Sequence, residues 1–211
     1  MWAVTRGRFI TFEGGEGAGK STQARRLQAR LGEGGVTAIL TREPGGSPGA
    51  EAVRSLLVTG DVDRWSPTAE TLLLYAARAD HIERAIQPAL EQGVWVVCDR
   101  FADSTRAYQG AAGGASEQLI ADLEEAVLGD LTPDLTLMFD LAPEVGLERV
   151  TARGGAEARF EAKGLAFHQR LRQRFLSIAA AEPARCVVVD AAADLDAVAE
   201  AVWAAVSGRL L

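Results

Sequence analysis

The sequence predicts an α/β fold: a doubly wound, five-stranded parallel sheet with helices on both faces. Short, mostly apolar runs alternate with longer stretches of helical periodicity, and right-handed crossovers turn that alternation into parallel strands covered on both sides. The second observation is positional. Segments 13–21, 42–46 and 99–110, rich in glycine or charge, fall at the carboxyl ends of three of those runs. Open α/β sheets bind ligands at those ends.

Residues 8–13 read as the first strand, and 20–31 as the helix behind it, with Ala24, Leu27 and Leu31 on one face. Residues 36–41 form the second strand and 50–58 a short helix. Ser66 is a good N-cap and Pro67 suits the first helical position, so a long helix is expected to run towards Glu91, with Pro88 kinking it or marking its last turn. Gly93 then breaks it before a third strand at 94–98. Residues 116–128 read as a helix closed by Gly129, 134–141 as the fourth strand, and Pro143 opens the next helix. Residues 160–181 are helical until Pro183, 185–190 form the fifth strand, and Asp194 caps a last helix towards Leu210. No repeat or domain-sized linker appears, so 1–211 reads as one domain.

Composition excludes several classes. The formal charge of −7 argues against a protein that coats nucleic acid with a basic face. No run of about 20 apolar residues occurs, so no membrane span is expected. The first residues lack the apolar run of a signal peptide, and the chain reads as cytoplasmic. Cys98 and Cys186 each sit in an apolar run and read as buried free thiols. His81 and His168 are isolated, without the spacing of a metal site.

Gly14-Gly15-Glu16-Gly17-Ala18-Gly19-Lys20-Ser21 fits the phosphate-loop pattern G-x-x-x-x-G-K-S/T, placed between a strand and a helix as the motif requires. Glycines let the backbone wrap around phosphate oxygens, and the helix N-terminus adds partial positive charge. Lys20 is expected to bridge the β- and γ-phosphates of a nucleotide, and the Ser21 hydroxyl to ligate Mg²⁺. The motif does not separate kinases from switches or ATPases. GTP-binding switches read guanine with Asn-Lys-x-Asp, and this chain contains no asparagine.

Four segments together resemble thymidylate kinases of the bacterial type: Phe12 and Glu13 with the phosphate loop through Thr22; Thr41-Arg42-Glu43-Pro44-Gly45-Gly46; Tyr75-Ala76-Ala77-Arg78-Ala79-Asp80-His81; and Asp99-Arg100-Phe101-Ala102-Asp103-Ser104-Thr105-Arg106-Ala107-Tyr108-Gln109-Gly110. The last is the most specific, because Ser-Thr-x-Ala-Tyr-Gln behind Asp-Arg is much narrower than Asp-Arg alone. The resemblance implies a P-loop nucleoside monophosphate kinase with a small helical lid. Its substrates would be ATP, bound with Mg²⁺ on Gly14–Thr22, and dTMP.

The resemblance also implies roles. Arg100 grips the acceptor phosphate, where a guanidinium matches two oxygens. Asp99 either holds a Mg²⁺-bound water or orients Arg100. Arg78 bonds the thymine edge, with Ser104, Thr105 and Gln109 as further contacts on the acceptor side. Leu74 stands where the family usually stacks a phenylalanine on the base, so it offers apolar contact without an aromatic face. Tyr108 fills the space of a ribose 2′-hydroxyl, and Glu16 accepts from the acceptor's 3′-hydroxyl. Pro44 walls the acceptor pocket. Glu43 binds a Mg²⁺-linked water or pairs with Arg54, which itself matches an arginine near the acceptor phosphate.

Arg149, Arg153 and Arg159 flank Gly154 and Gly155, so the lid is expected at about 149–161. One branch of the family carries its catalytic arginine in the phosphate loop. Here that loop has Gly17 and Ala18, which leaves the role to the lid, with Arg153 first and Arg159 second. Apolar residues at 72–86 and 116–128 exceed what one sheet face needs. With the homodimeric habit of the family they point to a homodimer, and a monomer core accounts for them as well. A kinase for another monophosphate or a deoxynucleoside, or an ATP-binding protein without transfer, is the alternative that a substrate panel separates.

Overall fold

The computed structural model describes residues 6–61, 63–153 and 163–211, without the side chain of Arg153. Strands β1 (Phe9–Gly14), β2 (Ala38–Arg42), β3 (Trp95–Asp99), β4 (Leu135–Asp140) and β5 (Cys186–Asp190) form one parallel sheet in the order β2-β3-β1-β4-β5. Central β1 sets Thr11 beside Cys98 on β3 and Thr136 on β4. From β1 the chain winds to one side through β2 and β3, then to the other through β4 and β5. The winding reverses beside β1, and the crevice at its carboxyl end is where a ligand is favoured. Register brings the predicted motifs to that crevice: Arg42 pairs with Asp99, Asp99 with Phe12, and Gly14 with Phe139.

Helices cover both faces because the strands are apolar on both. Ile10, Phe12, Leu135, Leu137 and Phe139 pack with Leu27 and Leu31 of α1 (Lys20–Glu33) and with Val198, Val202 and Val206 of the C-terminal helix (Leu195–Leu210). On the other face Phe9, Val96 and Cys98 meet Ile82, Ile86 and Leu90. Met138 there meets Tyr108, Leu171 and Phe175. Both cysteines are buried free thiols. The remaining helices are α2 (Pro48–Val58), α3 (Pro67–His81), α4 (Gln87–Glu91), α5 (Ala102–Thr105), α6 (Glu117–Leu128), α7 (Pro143–Arg153) and α8 (Leu165–Ala181), which makes the C-terminal helix α9. Ser66, Ser116 and Asp194 cap α3, α6 and α9 through their side chains.

Two elements differ from expectation. The long helix runs to Glu91 with Pro88 in its last turn, as expected, but on the way it widens into π-helix over Ile82–Ile86 before continuing as α4. Pro88 has no N–H for the carbonyl of Arg84, and the wider turn lets Gln87 N–H bond Ile82 O instead. Residues 102–111, which carry no apolar stripe, form α5 followed by π-helix over Arg106–Ala111. Helix α8 starts at Leu165, after Gly164. The expected start at Phe160, and most of the expected lid with Arg159, lie outside the described residues.

Candidate active site

The phosphate loop spans the gap from β1 to α1. Gly17 has φ 68°, and a Cβ there would lie 2.2 Å from the carbonyl oxygen of Gly146 on α7. A Cβ on Gly146 would in turn lie 2.3 Å from Glu16 O. The loop and α7 therefore touch backbone to backbone, which only this glycine pair permits. Buried Lys20 donates through Nζ to Gly14 O at 3.0 Å and Gly15 O at 2.7 Å. Burial and the Arg100 charge lower its pKa to about 8. Gly19 caps α1 without a side chain, so the first amides of that helix keep their donors for a ligand.

The Ser21 hydroxyl donates to Asp99 Oδ2, while Asp99 Oδ1 is buried without a partner among the described residues. Two hard oxygen donors side by side suit Mg²⁺, which needs few protein ligands when phosphate and water supply the rest. No cluster of three or more His, Cys, Asp or Glu side chains able to cage a metal occurs among the described residues.

Arg100 lies across from the loop. Its φ of 70° puts a non-glycine residue in the left-handed region, at a cost of about 1 kcal/mol. The guanidinium is tied down by Gly14 O at 3.1 Å, Glu16 Oε1 at 3.0 Å and Ser104 Oγ at 3.3 Å, and lies 4.8 Å from the Tyr108 ring centre. Glu16 Oε1 also accepts from Tyr108 Oη at 2.8 Å. Burial pushes the Glu16 carboxyl up, but Arg100, Lys20 and the Tyr108 bond outweigh it, leaving its pKa at about 2.

Arg78 is 2% exposed. Its Nε donates to Glu43 Oε2 at 2.7 Å, and Nη2 to Phe101 O at 3.1 Å and Thr105 Oγ1 at 3.0 Å. Nη1 is buried without a partner among the described residues. Glu43 Oε1 bonds His81 Nδ1 at 3.1 Å, and His81 Nε2 bonds Thr41 Oγ1 at 2.7 Å. His81 is thus not isolated: it braces the carboxylate that orients Arg78. Arg54 reaches Pro44 O at 2.6 Å, after the cis Glu43–Pro44 peptide.

One cavity of about 740 Å³ is lined by Glu16, Gly17, Ala18, Gly19, Lys20, Ser21 and Thr22 on one side. Glu43, Pro44, Arg54, Leu74, Arg78, Asp99, Arg100, Ser104, Thr105, Tyr108 and Gln109 line it as well. Gly14 and Gly15, at the start of the loop, are not among the cavity's lining residues. Arg153 ends α7, and Arg159 is outside the described residues.

Known proteins resemble this chain along most of its length. The family model described as thymidylate kinase matches residues 12–202. The chain belongs to the thymidylate kinase family. A thymidylate kinase of Caulobacter vibrioides is 66% identical over 207 residues, covering 98% of this chain and 99% of that protein. One from Nitrobacter winogradskyi is 57% identical over 208 residues, covering 98% of this chain and 90% of its own. The crystal structure of thymidylate kinase from Ehrlichia chaffeensis superposes with a TM-score of 0.77 at 35% identity, covering 96% of this chain and 99% of that one.

Within this thymidylate kinase family member, two participants have contacts that the sequence did not assign to them. Buried Glu13 accepts from Phe101 N at 2.8 Å, Ser104 N at 3.2 Å and Ser104 Oγ at 2.5 Å, anchoring the start of α5. Burial and the nearby Asp103 charge push its pKa up to about 8. A carboxylate closing an apolar strand was its only sequence signal. Arg149, read only as flanking the lid, lines the cavity and reaches Gly17 O at 3.5 Å and Ala191 O at 3.2 Å.

Proposed function

We propose that this chain transfers the terminal phosphate of ATP to dTMP, giving dTDP, as a cytoplasmic homodimer. The observation that carries the reading is one cavity with two cationic walls, the Lys20 loop facing Arg100 and Arg78. The family membership agrees with it.

An oxygen of the dTMP phosphate attacks the γ-phosphorus, and the bond to the bridging oxygen of ADP breaks. No general base is required, because the attacking oxygen is already anionic at neutral pH. The protein's work is positioning and charge placement. Lys20 and the α1 amides hold the donor phosphates, and Arg100 holds the acceptor phosphate. Ser21 and Asp99 fit a Mg²⁺ ion, which supplies charge neutralisation to the phosphates when bound. Glu16, ionised throughout the neutral range, accepts from the 3′-hydroxyl, and Tyr108 beside it leaves no room for a 2′-hydroxyl. Pro44 and Leu74 give the base an apolar wall, with Arg78, Thr105 and Gln109 at its polar edge. Arg153, with Arg159 second, supplies lid charge to the transferring group.

A coupled assay over a panel of monophosphates tests this, with dTMP expected to be the preferred acceptor. Lys20→Ala is expected to lower turnover by about 10³-fold. Preference for UMP or CMP, or near-normal turnover without Lys20, overturns it. For the homodimer, the support is apolar exposure on α3, where Leu72 is 47% exposed. Light scattering that returns a monomer mass removes that part alone.

A further inference from the structure

We infer that Glu70 is a specificity-determining residue: its buried carboxylate fixes which way the Gln109 amide faces, and so makes the cavity read an imide base. The inference rests on the reading above that a pyrimidine monophosphate occupies the acceptor side.

Glu70 lies on α3 one helical turn before Leu74 and two before Arg78, so the three share a face. Glu70 and Gln109 are 4% and 3% exposed, and Gln109 Nε2 donates to Glu70 Oε1 at 2.8 Å. The two ends of an amide are nearly the same size, so its direction is set by its partner. A carboxylate only accepts. Turning the Gln109 amide over would set oxygen against oxygen in a buried site, where such a mismatch is costly. Nε2 therefore stays on Glu70, and Oε1 is the atom Gln109 offers to the cavity it lines.

Arg78 completes the pattern. Glu43, Phe101 O and Thr105 hold its guanidinium in place, and Nη1 is the buried donor without a partner among the described residues. The wall thus presents a fixed donor and a fixed acceptor. Thymine and uracil carry O4, an acceptor, next to N3–H, the only N–H left once N1 bears the sugar. Cytosine inverts both positions, with an amino donor beside a bare N3. It would bring donor to donor and acceptor to acceptor. Glu70 touches no substrate in this scheme; it is a positioning residue acting through Gln109.

The test compares full-length wild type, Glu70→Gln and Glu70→Asp, with thermal melts establishing that each is folded. Glutamine at 70 can accept or donate, which frees the Gln109 amide to turn. For Glu70→Gln, kcat/KM for dTMP over that for dCMP is expected to fall about tenfold or more, since discrimination by buried hydrogen-bond polarity is of this order or larger. The loss should come from a higher KM for dTMP and a gain with dCMP, with kcat for dTMP little changed. Glu70→Asp keeps an acceptor-only group and is expected to hold the ratio within about twofold, well inside the cost of one lost buried hydrogen bond. A folded Glu70→Gln protein with an unchanged ratio overturns the inference, as do equal losses on both substrates. A crystal structure of the wild type with dTMP tests it without any variant: a base bonded to Gln109 Nε2 instead of Oε1 sinks it. If the wild type phosphorylates no pyrimidine monophosphate, the proposed function falls and this inference with it. If it prefers dTMP while the Glu70→Gln ratio stands, only this inference falls.

Discussion

Lys20 sits where two demands conflict. Nucleotide phosphates need an ammonium there, yet burial and Arg100 hold its pKa at about 8, against 10.5 for an ordinary lysine. A phosphate group beside Nζ favours the charged form and raises the pKa again. Near pH 8 about half of the side chains are neutral before binding and charged after it, so nucleotide binding is expected to take up protons at that pH and far fewer at pH 6.5. Calorimetry in buffers of different ionisation enthalpy measures the uptake. Lys20→Arg, which stays charged throughout, should remove it, and an undiminished uptake in that variant would assign the proton to another group. Arg100, held at φ 70°, reaches both Gly14 O and Glu16 with one side chain.

Elements hold these side chains through contacts that differ in how visible they are in a sequence. Helix α7 meets the phosphate loop at Gly17 and Gly146, each leaving less than 2.5 Å for a Cβ on the other side. Gly146→Ala is expected to cost about 1–3 kcal/mol by overpacking and to weaken ATP binding more than dTMP binding, because the loop must shift. Urea titration and separate calorimetry of the two nucleotides check this, and equal loss for both would place the damage elsewhere. Segment 101–111 depends on a different device. Arg185 bonds both Asp103 oxygens, at 2.7 and 2.9 Å, and Thr136 Oγ1 at 2.8 Å, and Arg106 joins Asp103 to Glu124 and Glu182. Asp103→Asn leaves Arg185 with a poorer partner and is expected to lower stability by about 3 kcal/mol, the scale of breaking a buried pair, as read by denaturant unfolding.

The strands and most helices were legible because apolar period and caps are local: Ser66, Ser116 and Asp194 cap where the sequence placed them. The segment at 102–111 was legible as a motif but not as a helix, because what folds it is Glu13 and Arg185, both more than 80 residues away for at least one contact. The π turn at Ile82–Ile86 likewise answers a missing N–H that the sequence shows, in a manner it does not. His81 looked solitary for the same reason, since Thr41 and Glu43 reach it only through the sheet.

At the scale of the whole molecule, two carboxylates, Glu13 near the end of β1 and Glu16 in the phosphate loop, set opposite limbs of the stability curve. Glu16 titrates at about 2 in the fold, against an ordinary 4.5. Its contribution is present above pH 4.5 and is lost as pH falls towards 2. Glu13 titrates at about 8, again against 4.5. The folded chain then binds the extra proton between those values, so this contribution is complete below pH 4.5 and is lost as pH rises through 8. Stability is therefore expected to fall on both sides of a weakly acidic optimum. Lys20 does not blur the alkaline limb, since its own shift acts only from about 8 upwards. Urea denaturation from pH 3 to pH 8 measures both limbs. Glu16→Gln should flatten the acid side and leave the other, while Glu13→Gln should flatten the decline from pH 5 to pH 8. A Glu13→Gln protein that keeps that decline would show that the buried carboxylate is ionised at no cost, held by Phe101 N, Ser104 N and the Ser104 hydroxyl. The anchor of segment 101–111 would then be a charge instead of a neutral acid.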